Sequence, residues 1–263
     1  MDLGLEGKVA IVTGGSDGIG KAAAISMASE GAKVAIVGRT QSKLDDAVAE
    51  IKKASGGEAI GVAADVSVES DVKAMVEKVV SEYGKLDILV NNAGTSSSTT
   101  LEKMTDEDLK VDFGIKVYGA VYCARAALPH LKKSGAGAIV NTTTPGGKAA
   151  NPGSQPTSLS RAAGISLTKS WAGELAKDNV RVNTVCVGLL KSGQHRTRWE
   201  AANAKDSSYT LEDHWKVVGK NVPMGRIGEA HEAGDLICFL ASAKASYITG
   251  TAVNVDGGTS PVV

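Results

Sequence analysis

The sequence lacks an excess of charge of either sign. Its 263 residues include 29 Lys plus Arg and 29 Asp plus Glu, so the formal net charge at pH 7 is +0. It also lacks the basic runs and the alternating basic and aromatic residues that are typical of proteins binding nucleic acids or anionic membranes. We therefore expect a small-molecule partner, with no nucleic acid and no membrane.

Cysteine and histidine are scarce as well. Cys123, Cys186 and Cys238 are odd in number, far apart and each within an apolar segment. This pattern predicts buried, reduced thiols in a cytoplasmic protein. The four histidines show no ligand spacing with cysteines or carboxylates, so no metal site is expected. An acidic residue at position 2 and a short first apolar run argue against a signal peptide, and no apolar stretch approaches the length of a membrane span.

A flexible linker is also missing, and 43% of the residues are hydrophobic, which predicts a single domain over residues 1–263. Short apolar runs alternate with segments of helical periodicity, which predicts an α/β fold. The predicted strands are 8–12, 33–37, 59–64, 86–90, 139–141, 180–186 and 252–255. The predicted helices are 19–30, 41–55, 68–83, 110–131 and 229–240.

A glycine-rich turn joins the first predicted strand to the first predicted helix, where residues 13–20 read T-G-G-S-D-G-I-G. Its glycines let the backbone approach a ligand closely, and the helix directs free N–H groups and its positive dipole end at an anion. We therefore predict that this turn binds a dinucleotide pyrophosphate, with a purely structural turn as the alternative. The predicted contact residues are Gly14, Ser16, Asp17, Gly18, Ile19 and Gly20.

Arg39 follows the second predicted strand, where an acidic residue would hold a ribose 2′-hydroxyl and an arginine suits a 2′-phosphate. This position favours NADP over NAD, although Arg39 is also compatible with a plain surface charge. Asp65 and Val66 follow the third strand. A carboxylate there either accepts a hydrogen bond from an adenine amino group or serves as a loop or N-cap residue.

Further motifs occur in a fixed order along the chain. They are Asp87, Asn91-Asn92-Ala93-Gly94, Ile139-Val140-Asn141, Arg181-Val182-Asn183, Thr249-Gly250 and Val255-Asp256-Gly257-Gly258. With the glycine turn, they make the chain resemble the short-chain dehydrogenase/reductase family from end to end. The resemblance implies a Rossmann-type, doubly wound, mostly parallel seven-stranded sheet with helices on both faces. It also implies a homodimer or homotetramer, a common arrangement among relatives.

The resemblance implies further cofactor contacts from Asn92, Ala93 and Gly94, and from Gly188, Leu190 and Ser192 beside the nicotinamide. Relatives use an Asn, a Ser, a Tyr and a Lys for catalysis. At the corresponding positions this sequence has Lys116, Thr144, Thr157 and Arg161. All four members of the catalytic set therefore differ from the family pattern, and Val187 departs from the usual Pro-Gly pair.

These replacements have unequal consequences. The Thr144 hydroxyl can still bind a substrate oxygen, and Arg161 can still hold ribose hydroxyls. Thr157 cannot replace a tyrosine acid at pH 7, and positioned proton transfer contributes about 10²- to 10⁴-fold. Lys116 is the first substitute to consider, as an acid with a lowered pKa or as a Schiff base, against the alternatives of a surface lysine or an ion-pair partner.

Residues 191–222 correspond to the substrate lid of the family. This segment contains His195, Arg198, Trp199, His214 and Trp215. The basic and aromatic residues favour an aromatic or carboxylate-bearing substrate, and either histidine is a possible proton donor. The alternative is a pair of helices whose tryptophans pack on the core.

Two hypotheses follow, because the cofactor-binding motifs are nearly complete while the residues at the catalytic positions are replaced. The first is an NADP-dependent oxidoreductase with an atypical active site, which acts on a C–O, C=C or C=N group. The second is a catalytically silent nucleotide-binding protein that serves as a sensor or as a partner subunit.

Overall fold

Seven parallel strands form the central sheet of the computed structural model, which describes residues 2–263. They are β1 (Val9–Thr13), β2 (Lys33–Gly38), β3 (Ala59–Ala63), β4 (Ile88–Asn91), β6 (Ala138–Thr143), β8 (Arg181–Val187) and β9 (Ala252–Val255). Two short strands outside this sheet, β5 (Ser98–Thr99) and β7 (Gln155–Pro156), pair with each other antiparallel. The order is β3-β2-β1-β4-β6-β8-β9. The direction of winding therefore reverses between β1 and β4, where sheets of this kind open a crevice at the strands' carboxyl ends.

Helices connect the strands and cover the sheet. They are α1 (Gly18–Ser29), α2 (Gln41–Ser55), α3 (Glu69–Tyr83), α4 (Asp106–Phe113), α5 (Gly119–Lys133), α6 (Thr157–Leu175), α7 (Gly193–Asn203), α8 (Leu211–Gly219) and α9 (Ala230–Ala241). Among the helices of residues 2–263, none has the length and apolarity needed to cross a membrane.

Two apolar layers lie on opposite faces of the sheet. One layer buries strand side chains against α1, α2 and α9, with Met27, Leu44 and Ile237 at its centre. The other packs α3, α5 and α6 against the opposite face, around Met75 and Leu131. The strands are apolar on both sides because both faces are covered, as expected for a parallel sheet. The predicted single-domain α/β fold is therefore confirmed.

The predicted helix over 110–131 lies within a longer helical segment, 106–133, that is not α-helical throughout. The helical segment begins at Asp106, where the Thr105 side chain accepts a hydrogen bond from the Asp108 N–H in a capping box. A π-helical turn, Gly114–Tyr118, then separates α4 from α5. Gly119 packs against Val66, and a Cβ there would lie 3.0 Å from a Val66 methyl carbon. Such π-turns are rare and often occur at functional sites, and this one contains Lys116.

Candidate active site

A cleft of about 630 Å³ opens at the carboxyl ends of β1, β4, β6 and β8. Its wall is built by loops that follow these strands, by the first turn of α6 and by the start of α7. Many of the predicted site residues meet here. They are Gly14, Ser16, Asp17, Gly18, Ile19, Asn92, Gly94, Thr144, Thr157, Arg161, Gly188, Leu190, Ser192, His195 and Arg198.

The glycine turn has a conformation that side chains would prevent. Gly14 and Gly18 have φ values of +64° and +55°, in the region that favours glycine. A Cβ on Gly20 would lie 2.3 Å from the Gly14 carbonyl oxygen. The Asn92 side-chain amide donates to the Thr13 and Gly14 carbonyl oxygens, at 3.0 and 3.2 Å. Asn92 therefore fixes the turn from the adjacent strand.

The amino terminus of α1 faces this turn. Asp17 occupies the N-cap position, and in the described structure its side chain makes no capping hydrogen bond. The first N–H groups of the helix therefore keep their capacity to bind an anion. A glycine-rich turn beside an uncapped helix end fits the pyrophosphate of a dinucleotide.

Several predicted cofactor residues lie outside the wall of the cleft. Arg39 is exposed at the end of β2, and its charge contributes to a lowered pKa of Asp65. The main causes of that lowering are hydrogen bonds from Ser67, whose hydroxyl and N–H both donate to the Asp65 carboxylate. Asp65 thus makes the local loop contacts that were the alternative to an adenine contact. Val66 and Ala93 line an interior cavity, and Gly20 is buried in the turn.

Lys116 lies behind the cleft rather than in its wall. Its side chain is 2% exposed and forms an ion pair with the equally buried Asp112. Burial, followed by the charge of Arg161, lowers the pKa of Lys116 to about 8, while Asp112 opposes the shift. The expectation of a lowered pKa is confirmed. The alternative in which Lys116 is an ion-pair partner agrees with its contacts, and the alternative of a surface lysine was wrong.

The Thr157 hydroxyl has used all of its hydrogen-bonding capacity. It accepts from the Ser97 N–H and from the Lys116 ammonium, both at 3.0 Å. It donates to the Ser97 carbonyl oxygen at 2.7 Å. One donated and two accepted bonds are the capacity of a hydroxyl. Thr157 therefore ties the loop before β5 to the start of α6, with no hydrogen left for a substrate oxygen.

Arg161 on α6 and Thr144 after β6 both line the cleft. One Arg161 nitrogen donates to the Thr142 carbonyl oxygen at 2.6 Å. A Cβ on Gly94 would lie 3.1 Å from the guanidinium, so glycine there admits the arginine. Burial lowers the pKa of Arg161 to about 10, which leaves it charged at neutral pH. Thr144 precedes the short helical turn Pro145–Gly147 and contributes to the wall.

The lid consists of the helix pair α7 and α8. Trp215 is 9% exposed and packs edge-on against His214, with ring centroids 5.4 Å apart. The Trp199 indole donates to the Tyr209 carbonyl oxygen at 2.9 Å. Both tryptophans therefore hold the lid together and do not line the cleft. This arrangement agrees with the alternative of a helix pair whose tryptophans serve packing. His195 and Arg198 are the predicted lid residues that reach the cleft wall.

Other important residues were missed in the sequence. Asp112 stands four residues before Lys116, a helical ion-pair spacing that would have identified it. The wall also contains Asn151, Ser154 and the carboxyl-terminal residues Thr259–Pro261. These come from distant parts of the chain, and no local pattern marks them.

Known proteins resemble this chain over nearly its whole length. The family model described as enoyl-(acyl carrier protein) reductase matches residues 14–260. The chain is 36% identical to 3-oxoacyl-[acyl-carrier-protein] reductase FabG from Thermotoga maritima, over 97% of this chain and 98% of that protein.

Solved structures give the same result. L-sorbose reductase from Gluconobacter frateurii, complexed with NADPH and L-sorbose, superposes with a TM-score of 0.95 at 34% identity, covering 100% of both chains. The 3-ketoacyl-(acyl-carrier-protein) reductase from Brucella melitensis, complexed with NADH, gives a TM-score of 0.86 at 34% identity, covering 97% of this chain and 99% of that chain. The relatives thus include structures with either dinucleotide.

Proposed function

Since this chain belongs to the short-chain dehydrogenase/reductase family of NAD(P)-dependent oxidoreductases, we propose that it is an NADP-dependent enzyme with an atypical active site. It transfers hydride to or from a small polar substrate without a tyrosine acid. The observation that carries this proposal is the single cleft that joins the glycine turn to Thr144 and Arg161.

The cofactor is held mainly by backbone groups. The glycine turn and the α1 amino terminus take the pyrophosphate, and exposed Arg39 takes the 2′-phosphate. Arg161 holds ribose hydroxyls, and Ser192 contacts the nicotinamide amide. When bound, a nicotinamide cofactor supplies or accepts a hydride at the substrate carbon.

The substrate end of the cleft favours hydroxylated molecules. Its wall contains the hydroxyl or amide side chains of Ser96, Asn151, Ser154 and Ser158, which hydrogen-bond polar ligands. The relative that was solved with L-sorbose supports the same class. Arg198 adds a positive charge, so a carboxylate-bearing hydroxy or keto compound also fits. The Thr144 hydroxyl binds the reacting oxygen.

A catalytically silent nucleotide-binding protein is the second candidate. The hydrogen bonds of Thr157 support it, because Ser97 and Lys116 satisfy the hydroxyl that stands where relatives have the acid. In this case the cleft would bind NADP and a small ligand without turnover, as a sensor or partner subunit.

A homodimer or homotetramer is also part of the proposal. Tyr118 and Leu159 expose 55% and 42% of their surface beside α5 and on α6, and Tyr247 is fully exposed after α9. Apolar side chains exposed in this way suit a contact between copies. Light scattering coupled to size-exclusion chromatography measures the mass, and a monomer at micromolar concentration would contradict this assignment.

The two functions are separated by absorbance at the nicotinamide band. L-sorbose and acetoacetyl-coenzyme A are tested with NADPH, and D-sorbitol with NADP. We expect measurable turnover of a hydroxylated probe. Tight NADPH binding without turnover in either direction would favour the silent protein, and failure to bind NADPH would refute both functions.

A variant with the family's catalytic residues restored tests whether the pocket still admits a carbonyl substrate. The Lys116→Asn, Thr157→Tyr, Arg161→Lys triple variant recreates three of the four family residues, keeps the Thr144 hydroxyl and removes the Lys116 ammonium. Lys116→Asn alone removes the ammonium without supplying the acid. A gain of carbonyl reduction in the triple variant alone shows that the pocket still admits a carbonyl substrate.

A further inference from the structure

Two histidines of the lid carry buried nitrogen atoms without a partner. In the part of the chain that the structure describes, the Nδ1 of His195 and the Nε2 of His214 are buried and make no hydrogen bond. Their ring centroids are 5.9 Å apart. Buried polar atoms are nearly always paired in proteins. The two neighbouring imidazoles therefore each keep one ring nitrogen with capacity for a further hydrogen bond or proton.

His195 connects this pair to the cleft. It is 8% exposed, lies in the first turn of α7 and lines the cleft together with Thr144 and Arg161. Behind it, the Tyr209 hydroxyl is 3.3 Å from the Nδ1 of His214. Three neighbouring titratable groups, Tyr209, His214 and His195, thus lie in order from the lid interior to the cleft wall.

The surroundings argue against a metal-binding role. Among residues 2–263, no group of three or more His, Cys, Asp or Glu side chains is arranged to hold a metal ion. Arg198 on α7 contributes a positive charge beside His195. Lys191, whose ammonium lies 5.9 Å from the centre of the Trp215 ring, pairs with Glu229. Burial and the charge of Arg198 therefore disfavour a positive charge on His195.

We propose that His195 is the acid–base residue of the reaction, and that His214 and Tyr209 position it and exchange protons with it. This inference rests on the proposed function. Three other groups are poor candidates for proton transfer to the substrate. The Thr157 hydroxyl has no free hydrogen, Lys116 lies outside the cleft wall, and Arg161 stays charged.

The proton transfer balances with hydride transfer. In oxidation, the substrate O–H bond breaks and its proton forms an N–H bond on neutral His195, while the hydride of the C–H bond goes to the oxidised nicotinamide as co-reactant and the C=O double bond forms. In reduction, the carbon gains a hydride from the reduced nicotinamide, the C=O π electrons move to oxygen, and the oxygen takes the proton from the imidazolium. His214 and Tyr209 then restore the proton from solvent.

The protonation state of His195 gives a direction. Burial, then the charges of Arg198 and His214, lower its pKa from the ordinary value of 6.5. The imidazole is therefore mostly neutral at pH 7, the form that accepts a proton from an alcohol. We expect alcohol oxidation to rise with pH and reach a plateau above the pKa of His195, while ketone reduction falls over the same range.

The activity test compares His195→Gln with His231→Gln, a change at an exposed histidine on α9. Loss of positioned proton transfer lowers kcat by about 10²- to 10⁴-fold. In His195→Gln, NADPH affinity stays the same, and the rise of the oxidation rate with pH disappears. In His214→Gln, kcat falls less, and the rise of the oxidation rate moves to higher pH because a positive neighbour of His195 is removed.

A second readout needs neither cofactor nor substrate. Imidazole nitrogen NMR on the cofactor-free protein should give a pKa of His195 below 6.5 that rises in His214→Gln. A pKa of His195 that His214→Gln leaves unchanged would overturn the coupling. Wild-type turnover that persists in His195→Gln would refute this inference alone, whereas NADPH binding without any wild-type turnover would refute the enzymatic function as well.

Discussion

The two halves of the cleft depend on different parts of the polypeptide. On the cofactor side, recognition relies on backbone conformation, with positive φ at Gly14 and Gly18 and free N–H groups at the start of α1. On the catalytic side, the family chemistry relies on four side chains, and we propose that Lys116, Thr144, Thr157 and Arg161 replace all four here. Substitutions can therefore change the catalytic half without disturbing the backbone that presents it.

The replacements also form new contacts with one another. Lys116 pairs with Asp112 and donates to Thr157, and Arg161 donates to Thr142. One Asp112 oxygen accepts from the Lys116 ammonium, whereas the other is buried and makes no hydrogen bond among the described residues. In this polar network, the Thr157 hydroxyl serves structure instead of proton transfer.

The largest effect is expected from breaking the buried ion pair. Lys116→Met leaves the Asp112 carboxylate buried and unpaired, which reduces the free energy of unfolding by about 3–5 kcal/mol. Urea denaturation measures the change. The control is Asp112→Leu combined with Lys116→Met, which should recover most of the loss because no unpaired charge remains. A single variant as stable as the wild type would show that the pair is not buried as described.

The second effect tests the backbone conformation of the glycine turn on the cofactor side of the cleft. Gly20→Ala places a Cβ 2.3 Å from the Gly14 carbonyl oxygen, so we expect about 3 kcal/mol of destabilisation from overpacking. NADPH binding should be lost with the turn geometry. Gly173→Ala is the matched control, since its Cβ meets no atom within 4 Å in the described structure. It should be neutral or slightly stabilising. Equal effects of the two variants would contradict a steric role for Gly20.

The third effect separates structure from catalysis at Thr157. Thr157→Val leaves the Ser97 N–H without its acceptor and removes one of the two acceptors of the Lys116 ammonium, which costs about 2 kcal/mol of stability. The kcat per folded molecule should stay the same, since the hydroxyl has no hydrogen for the substrate. Thr157→Ser keeps the hydroxyl and should restore stability. A variant of unchanged stability with abolished kcat would make Thr157 a catalytic group.

The smallest effect is a change in the pH dependence of stability. The folded-state pKa of His195 is lowered from 6.5, so the unfolded chain binds more protons once the pH falls towards and below 6.5. Stability is therefore lost as the pH falls through this range. Chemical denaturation across this range should show a shallower slope for His195→Gln than for the wild type. Identical slopes would mean that the pKa of His195 is not lowered.

The structural features that could be predicted from the sequence are those determined by residues close together in the chain. The glycine turn lies next to a strand and a helix in the chain, and α2 was predicted with its observed limits, 41–55. The ties of Thr157 to Ser97 and Lys116 were not predictable, because these residues are 60 and 41 positions away. The π-turn and the inward packing of the lid tryptophans depend likewise on tertiary contacts.

The most direct test of the intact cofactor half is a calorimetric titration of the wild-type protein with NADPH and with NADH. A charge-assisted hydrogen bond contributes about 1.5–3 kcal/mol, so a contact between Arg39 and the 2′-phosphate predicts roughly 10- to 100-fold tighter binding of NADPH. Arg39→Ala should remove most of that difference. Binding of NADH at least as tight as that of NADPH would contradict the role of Arg39, and binding of neither would contradict an intact cofactor half.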